Sequence, residues 1–244
     1  MADLHFYFDP ICPFAWMTSK WVRQVADQRS YDVEWRFISL RMVNAGVDYA
    51  THFPPGYEQS HSAGLSLLRV AAAVRQANGT PAVGDVYRAM GSVIFEDSRS
   101  RHEKALADPM GLATAALDSA GLDSTLASAV DDTSHDPLIS AETAEALELT
   151  GRDVGTPILH FEPPTGTALF GPVISRLPSD EEALALWEHV VALSRFPGFA
   201  ELKRSLREVP QLPVYGVAPG EVGAQEDWQQ GHRRRAAADG SATP

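Results

Sequence analysis

The chain has 244 residues, 44% of them hydrophobic and 21% charged, which is the make-up of a globular protein able to bury its own core. Its net charge of −12 argues against the basic face of a nucleic-acid binder, and its single cysteine, Cys12, excludes an internal disulfide. The N-terminus has no basic region followed by an apolar segment, and no apolar run nears the roughly 20 residues of a membrane span, so a soluble cytoplasmic protein with no membrane partner is expected.

Leu4 to Phe8 reads as a buried strand. Asp9-Pro10 breaks it, and a helical pattern runs from Pro13 to Arg29. Tyr31 to Leu40 alternates, with Val33, Trp35 and Phe37 on one face, and reads as a second strand. The opening is therefore β-α-β, with the strands expected to be parallel across a crossover helix. From about Val43 to Arg152 there is no strand signal. Asn44 to Gln59 reads as loop, and helices are expected at Ser62–Asn78 and Pro81–Phe95. Asp108-Pro109 and Asp136-Pro137 each look like a helix start, with proline in the first turn. A short helix is expected over Leu122–Asp131.

Strand signals return at Pro157–Phe161 and Thr167–Phe170, with Glu162 to Gly166 as the turn of a hairpin. Ser179 to Glu182 is a capping box, S-x-x-E, ahead of an apolar helical stripe that includes Ala183, Trp187 and Val191. Phe196 to Arg207 is expected to add a short helix. With the helical block removed the order is βαβ-ββα, that of a thioredoxin fold. The expected architecture is α/β, a thioredoxin fold with a large all-helical insertion. Its expected division is 1–42 with 153–207 as the thioredoxin-like domain, 43–152 as the insertion, and 208–244 as a partly disordered tail carrying Arg233, Arg234 and Arg235.

Cys12 lies between the first strand and the first helix. A helix N-terminus leaves backbone N–H groups unpaired and carries partial positive charge, so it favours the thiolate, the nucleophilic form. Pro13 suits the first helical turn, since its missing N–H has no helical partner to lose. The bland reading is that Cys12 only packs, as buried cysteines often do. Phe14 lies in the turn and is expected to be exposed beside the thiol, whereas Trp16 and Trp21 read as core. His52 and His61 flank a loop that could fold over the site, although a surface role is the stronger reading. No metal-ligand spacing, phosphate loop or nucleophile elbow is present, so no metal is implied.

FDPICPFAW resembles the active-site turn of DsbA-like thioredoxin-fold oxidoreductases, whose usual motif is C-P-x-C. FDPICPFAWMTSKW, VGTPILHF and LFGPVISRLP together resemble the actinobacterial mycothiol-dependent nitroreductase branch. That branch is similar in turn to 2-hydroxychromene-2-carboxylate isomerases and kappa-class glutathione transferases. The resemblance covers nearly all of residues 4 to 207. It implies Cys12 as the catalytic nucleophile. It also implies a Thr156-Pro157 peptide that is cis and faces the thiol, and substrate contacts at Pro13, Phe14, Thr156 and Pro157.

The chain departs from this pattern at Ala15, where the second cysteine of C-P-x-C would stand. A dithiol enzyme resolves its mixed disulfide with that second thiol. Here an external thiol must do so, which implies mycothiol or glutathione as co-substrate and a small thiol or disulfide as substrate. The expected activity is monothiol, thiol-disulfide oxidoreductase chemistry. A thiol-dependent transferase or isomerase of the kappa-class type and a non-catalytic thioredoxin-fold binding protein stay open as alternatives, as does a homodimer.

Overall fold

The computed structural model describes residues 2–204 and 206–227. The described chain is an α/β thioredoxin fold with a helical insertion. Strands β1 (Leu4–Phe8), β2 (Val33–Phe37), β3 (Ile158–Phe161) and β4 (Ala168–Phe170) form one sheet in the order β2-β1-β3-β4. β1 and β2 are parallel, joined by helix α1 (Pro13–Gln28), and the register sets Phe6 opposite Trp35. β3 runs antiparallel to both β1 and β4, as the hairpin signal anticipated.

Alternation along the strands divides the core between the two faces of the sheet. Leu4, Phe6 and Phe8 point into the larger core with Trp35, Phe37 and the buried face of α1. Tyr7 points the other way, with Ile158 and Ala168, towards helix α8 (Asp136–Thr150). Helix α9 (Asp180–Ser194) packs its Trp187 on Trp21 of α1, with ring centroids 5.3 Å apart. Its capping box is formed as the sequence indicates, Ser179 and Glu182 bonding each other's backbone N–H groups.

The insertion shares the core of the sheet. One apolar cluster runs without a break from Phe6 and Phe8 through Tyr87 to Ala113 and Leu117. It is built from helices α4 (Tyr57–Asn78), α5 (Pro81–Phe95), α6 (Arg99–Ala107) and α7 (Pro109–Ser119), with a 3-10 segment at Ser124–Asp131. Two glycines let the helices approach closely. A Cβ on Gly91 of α5 would stand 2.2 Å from the Trp16 ring, and one on Gly64 of α4 would stand 2.5 Å from the Asp9 carboxylate.

The structure differs from the sequence reading in several places. Within the expected loop from Asn44 to Gln59, Asp48 caps a short helix, α3 (Tyr49–His52); α2 (Leu40–Val43), capped by Ser39, ends just before it. Among its described residues the Phe196–Arg207 segment is not helical. Pro197-Gly198 breaks it, and Phe199 N–H closes a turn onto the Phe196 carbonyl at 3.0 Å. The expected tail from 208 is folded as far as residue 227. Strands β5 (Leu206–Glu208) and β6 (Gln225–Asp227) pair antiparallel, and Leu212 and Val214 between them are buried. Arg233, Arg234 and Arg235 lie outside the described residues. Among the described residues no helix is long and apolar enough to cross a membrane.

Candidate active site

Cys12 is the N-cap of α1. Its carbonyl accepts the Trp16 N–H at 3.0 Å, and its Sγ accepts the Ala15 N–H at 3.5 Å. The turn that delivers it is held by Asp9, which is fully buried. One carboxylate oxygen accepts the Ile11 N–H at 3.2 Å and the other the Leu40 N–H at 2.7 Å. Asp9 therefore joins the end of β1 to the start of α2, and Cys12 is placed between two fixed points.

The loop 154–157 enters from the far end of the chain. The Thr156-Pro157 peptide is cis. The Thr156 hydroxyl donates to the Tyr7 carbonyl at 3.0 Å, which ties the loop to β1. The Cys12 thiol donates to the Thr156 carbonyl at 3.3 Å. Cys12, Pro13, Phe14 and Thr156 share the wall of a cavity of about 1310 Å³. Pro157 is buried and is not part of that wall. Phe14, expected to be exposed, is only 7% exposed, because it joins the apolar core cluster and Arg207 covers its ring.

The thiol's electrostatics also differ from expectation. Burial pushes the Cys12 thiol up to about 12, against the Ala15 N–H bond that favours the thiolate. The nearby Asp9 carboxylate pushes in the same direction as burial, while Arg207 opposes it. One helix N-terminus is weaker than the desolvation of a thiol that is 8% exposed, so the resting group is neutral. Burial likewise pushes Asp9 itself up to about 7, although its two backbone hydrogen bonds act to lower it.

The same cavity is also lined by Phe53, Tyr57 and His61. The Phe53 and Tyr57 rings stack at 5.5 Å, and His61 meets both edge-on. His61 is 5% exposed and lies in the core of the wall, contrary to the surface role read from sequence. Its Nδ1 is 2.9 Å from the Tyr49 hydroxyl, and burial with the nearby Arg41 pushes its pKa down to about 4. His52 is exposed, as expected. The spacing of Tyr57 and His61, one helical turn apart on α4, was a signal available in the sequence. Nothing local there marked the turn as lining the same cavity as Cys12.

Among the described residues there is no cluster of three or more potential metal ligands. The site offers a thiol on a cavity wall, a backbone carbonyl beside it and aromatic side chains in the same lining. That arrangement suits exchange of sulfur bonds with a bound molecule.

Comparison with known proteins adds three findings. A family model described as Rv2466c-like, Mycothiol-dependent nitroreductase Rv2466c, matches residues 11–204. The uncharacterized protein Rv2286c of Mycobacterium tuberculosis (strain ATCC 25618 / H37Rv) is 33% identical over 206 residues, covering 84% of this chain and 82% of that protein. A cytosolic disulfide reductase, DsbM from Pseudomonas aeruginosa, superposes with a TM-score of 0.50 at 17% identity, covering 78% of this chain and 98% of the other. At that identity the likeness concerns the fold alone.

Proposed function

The chain belongs to the Rv2466c-like family of mycothiol-dependent nitroreductases, and on that premise we propose that it is a one-thiol oxidoreductase with Cys12 as nucleophile and an external low-molecular-weight thiol as resolving partner. The carrying observation is the placement of Cys12, 3.3 Å from the Thr156 carbonyl, on the wall of a large cavity, with alanine at position 15. Mycothiol is the first candidate thiol, since the family is named for its dependence on it, with glutathione second. The cavity has room for a thiol with a bulky polar carrier.

In the exchange step Cys12 loses its proton and its sulfur attacks one sulfur of a bound disulfide. The Cys12–sulfur bond forms, the substrate S–S bond breaks, and the second sulfur leaves as a thiolate that takes up a proton. An external thiol then attacks the mixed disulfide, Cys12 returns as the thiol, and a new disulfide departs. Ala15 cannot take that second role. Pro13 and Phe14 bound the thiol on one side, and the Thr156 backbone presents an edge for an extended substrate, as an added strand would meet it. Pro157 acts beneath, by shaping the loop. The reaction needs a reduced pool of small thiols, which fits a cytoplasmic setting.

Intact-mass measurement after incubation with oxidised mycothiol tests this reading. A single adduct that is absent in Cys12→Ser and removed by free mycothiol is expected. Full thiol-dependent turnover by Cys12→Ser would overturn it.

One observation favours a second reading. The resting thiol is neutral and donates to Thr156, so Cys12 is also placed to hydrogen-bond and ionise a bound cofactor thiol, as in a transferase or isomerase. Thiol-dependent turnover without any adduct at Cys12 would select that alternative.

A further inference from the structure

The family match ends at residue 204, and the folded strap that follows, 206–227, reaches the same cavity. Val209, Pro210, Pro213, Val214 and Tyr215 all line it. The strap is firmly attached. Gln211 N–H donates to the Ser175 carbonyl at 2.6 Å, and the Ser175 hydroxyl donates to Glu208 at 3.1 Å. Arg176 lies 3.5 Å from the same carboxylate. Val209 N–H donates to the Ala224 carbonyl at 2.8 Å, closing the strap on itself. There the strands approach so closely that a Cβ on Gly223 would stand 2.2 Å from the Val209 carbonyl oxygen.

The strap begins at β5, which carries Arg207. Its guanidinium carbon lies 5.9 Å from the centre of the Phe14 ring, and Phe14 is two residues past the thiol in the first turn of α1. We propose that Arg207 is a positioning cation for Cys12, delivered over the start of α1 by a strap that lies outside the family-matched residues. The proposal rests on Cys12 being the reactive thiol. It adds that the residues up to 204 form an incomplete site, and that the strap supplies the charge that the developing thiolate needs.

The electrostatics agree in sign from both sides. Burial pushes the Cys12 thiol up, and Arg207 pulls it down. Burial pushes the Arg207 guanidinium down, and the Cys12 thiolate pulls it up. Asp9 acts on the thiol in the opposite sense, and Tyr87 is raised chiefly by its own burial, with the thiolate adding in the same direction. The cavity is also lined by His61, held neutral by burial, and by Arg99, His102 and Glu103 of α6. Arg207 is thus set against two groups that disfavour the anion, burial and Asp9. A half-buried cation over an aromatic face is less screened than one in open solvent, so it acts on the thiol in the sense opposite to burial.

The test is the pH dependence of Cys12 alkylation by iodoacetamide, a neutral reagent, in the full chain. Arg207→Gln is expected to slow alkylation severalfold at a fixed pH below the thiol midpoint. Arg207→Lys is expected to recover most of the rate. Arg207→Met keeps the apolar stem without the charge and is expected to match Arg207→Gln, so the outcome does not depend on one variant folding well. An unchanged pH profile in both neutral variants would overturn the proposal. So would an equal loss in the lysine variant, since that would assign the effect to packing on Phe14. Adduct formation by the wild-type protein with oxidised mycothiol, measured alongside, separates failure of this inference from failure of Cys12 as nucleophile.

Discussion

Cys12 and Thr156 are 144 positions apart in the chain, yet the thiol donates to the Thr156 carbonyl at 3.3 Å. The contact depends on a second bond, from the Thr156 hydroxyl to the Tyr7 carbonyl at 3.0 Å. β1 therefore positions both partners, the thiol through the turn at its end and the carbonyl through this clamp.

Thr156→Val keeps the shape of the side chain and removes the clamp. A net stability loss of about 1 kcal/mol is expected, the usual cost of one buried hydrogen bond. The thiol also loses a well-placed acceptor that favours its neutral form, so alkylation of Cys12 is expected to be as fast as in the wild type or faster. Exchange with a disulfide substrate is expected to slow, because the loop edge is no longer fixed. Denaturant titration and the two rates, measured side by side, check this. An equal slowing of alkylation and exchange would show that the clamp does not divide the roles in this way.

Asp9 and His61 are expected to give stability opposite pH slopes. The buried Asp9 carboxyl is raised from 3.8 to about 7, so its favourable contribution is full below pH 3.8 and is lost as pH rises through about 7. The cost of ionising it is on the order of 4 kcal/mol at neutral pH. His61 is lowered from 6.5 to about 4, so its contribution is present above pH 6.5 and is lost as pH falls through about 4. Between these limits the two partly cancel. Denaturant midpoints from pH 4 to pH 8 are expected to fall less steeply with pH in Asp9→Asn than in the wild type, and more steeply in His61→Gln. Parallel profiles for all three proteins would contradict the assignment.

Glu142 is the main polar tie between the sheet and α8. It is 4% exposed, accepts the Phe37 N–H at 2.8 Å, and pairs with Arg36 at 3.2 Å and Arg75 at 2.8 Å. Glu142→Gln leaves Arg75 facing a neutral side chain, whereas Arg36 keeps Glu145 at 3.1 Å. Removing one partner of a buried pair typically costs about 3–5 kcal/mol, because the remaining charge stays buried. A large drop in melting temperature with near-normal Cys12 alkylation in the folded protein is the expected result. A drop of only a few tenths of a kcal/mol would mean that the arginines find new partners.

The parts of the fold that could be read from sequence were those with strong local causes. The β-α-β opening, the hairpin, the Ser179 capping box and the helix starting at Pro109 all depend on nearest neighbours in the chain. Helix α6, Arg99–Ala107, buries none of its residues, so its charged sequence gave no apolar stripe to find. The Cys12 turn was legible because a strand break, a thiol and Pro13 are adjacent. The thiol's burial was not, because it depends on helices and a strap far away in sequence. His61 was misplaced for the same reason. Nothing near it in the chain shows that this face of α4 is buried in the wall of the cavity that Cys12 also lines. Arg207 was hidden twice, by lying at the end of a segment expected to be a short helix and by acting across the fold.

Ala15→Cys restores the C-P-x-C pattern and tests the one-thiol reading from the opposite side. Positions 12 and 15 lie one helical turn apart, and the Ala15 N–H already reaches the Cys12 sulfur at 3.5 Å. The new thiol would enter a site where Ala15 is fully buried, so overpacking of about 1–3 kcal/mol is expected. In exchange, the variant gains an internal thiol able to attack a mixed disulfide at Cys12. Oxidation would then close an intramolecular disulfide with loss of two hydrogen atoms, and release of bound substrate thiol would no longer need mycothiol. The wild-type protein should hold its adduct until external thiol is added, whereas the variant should discharge it alone. If wild type and variant discharge at the same rate without added thiol, the external thiol is not the resolving group, and the alanine at position 15 does not set the chemistry of the site.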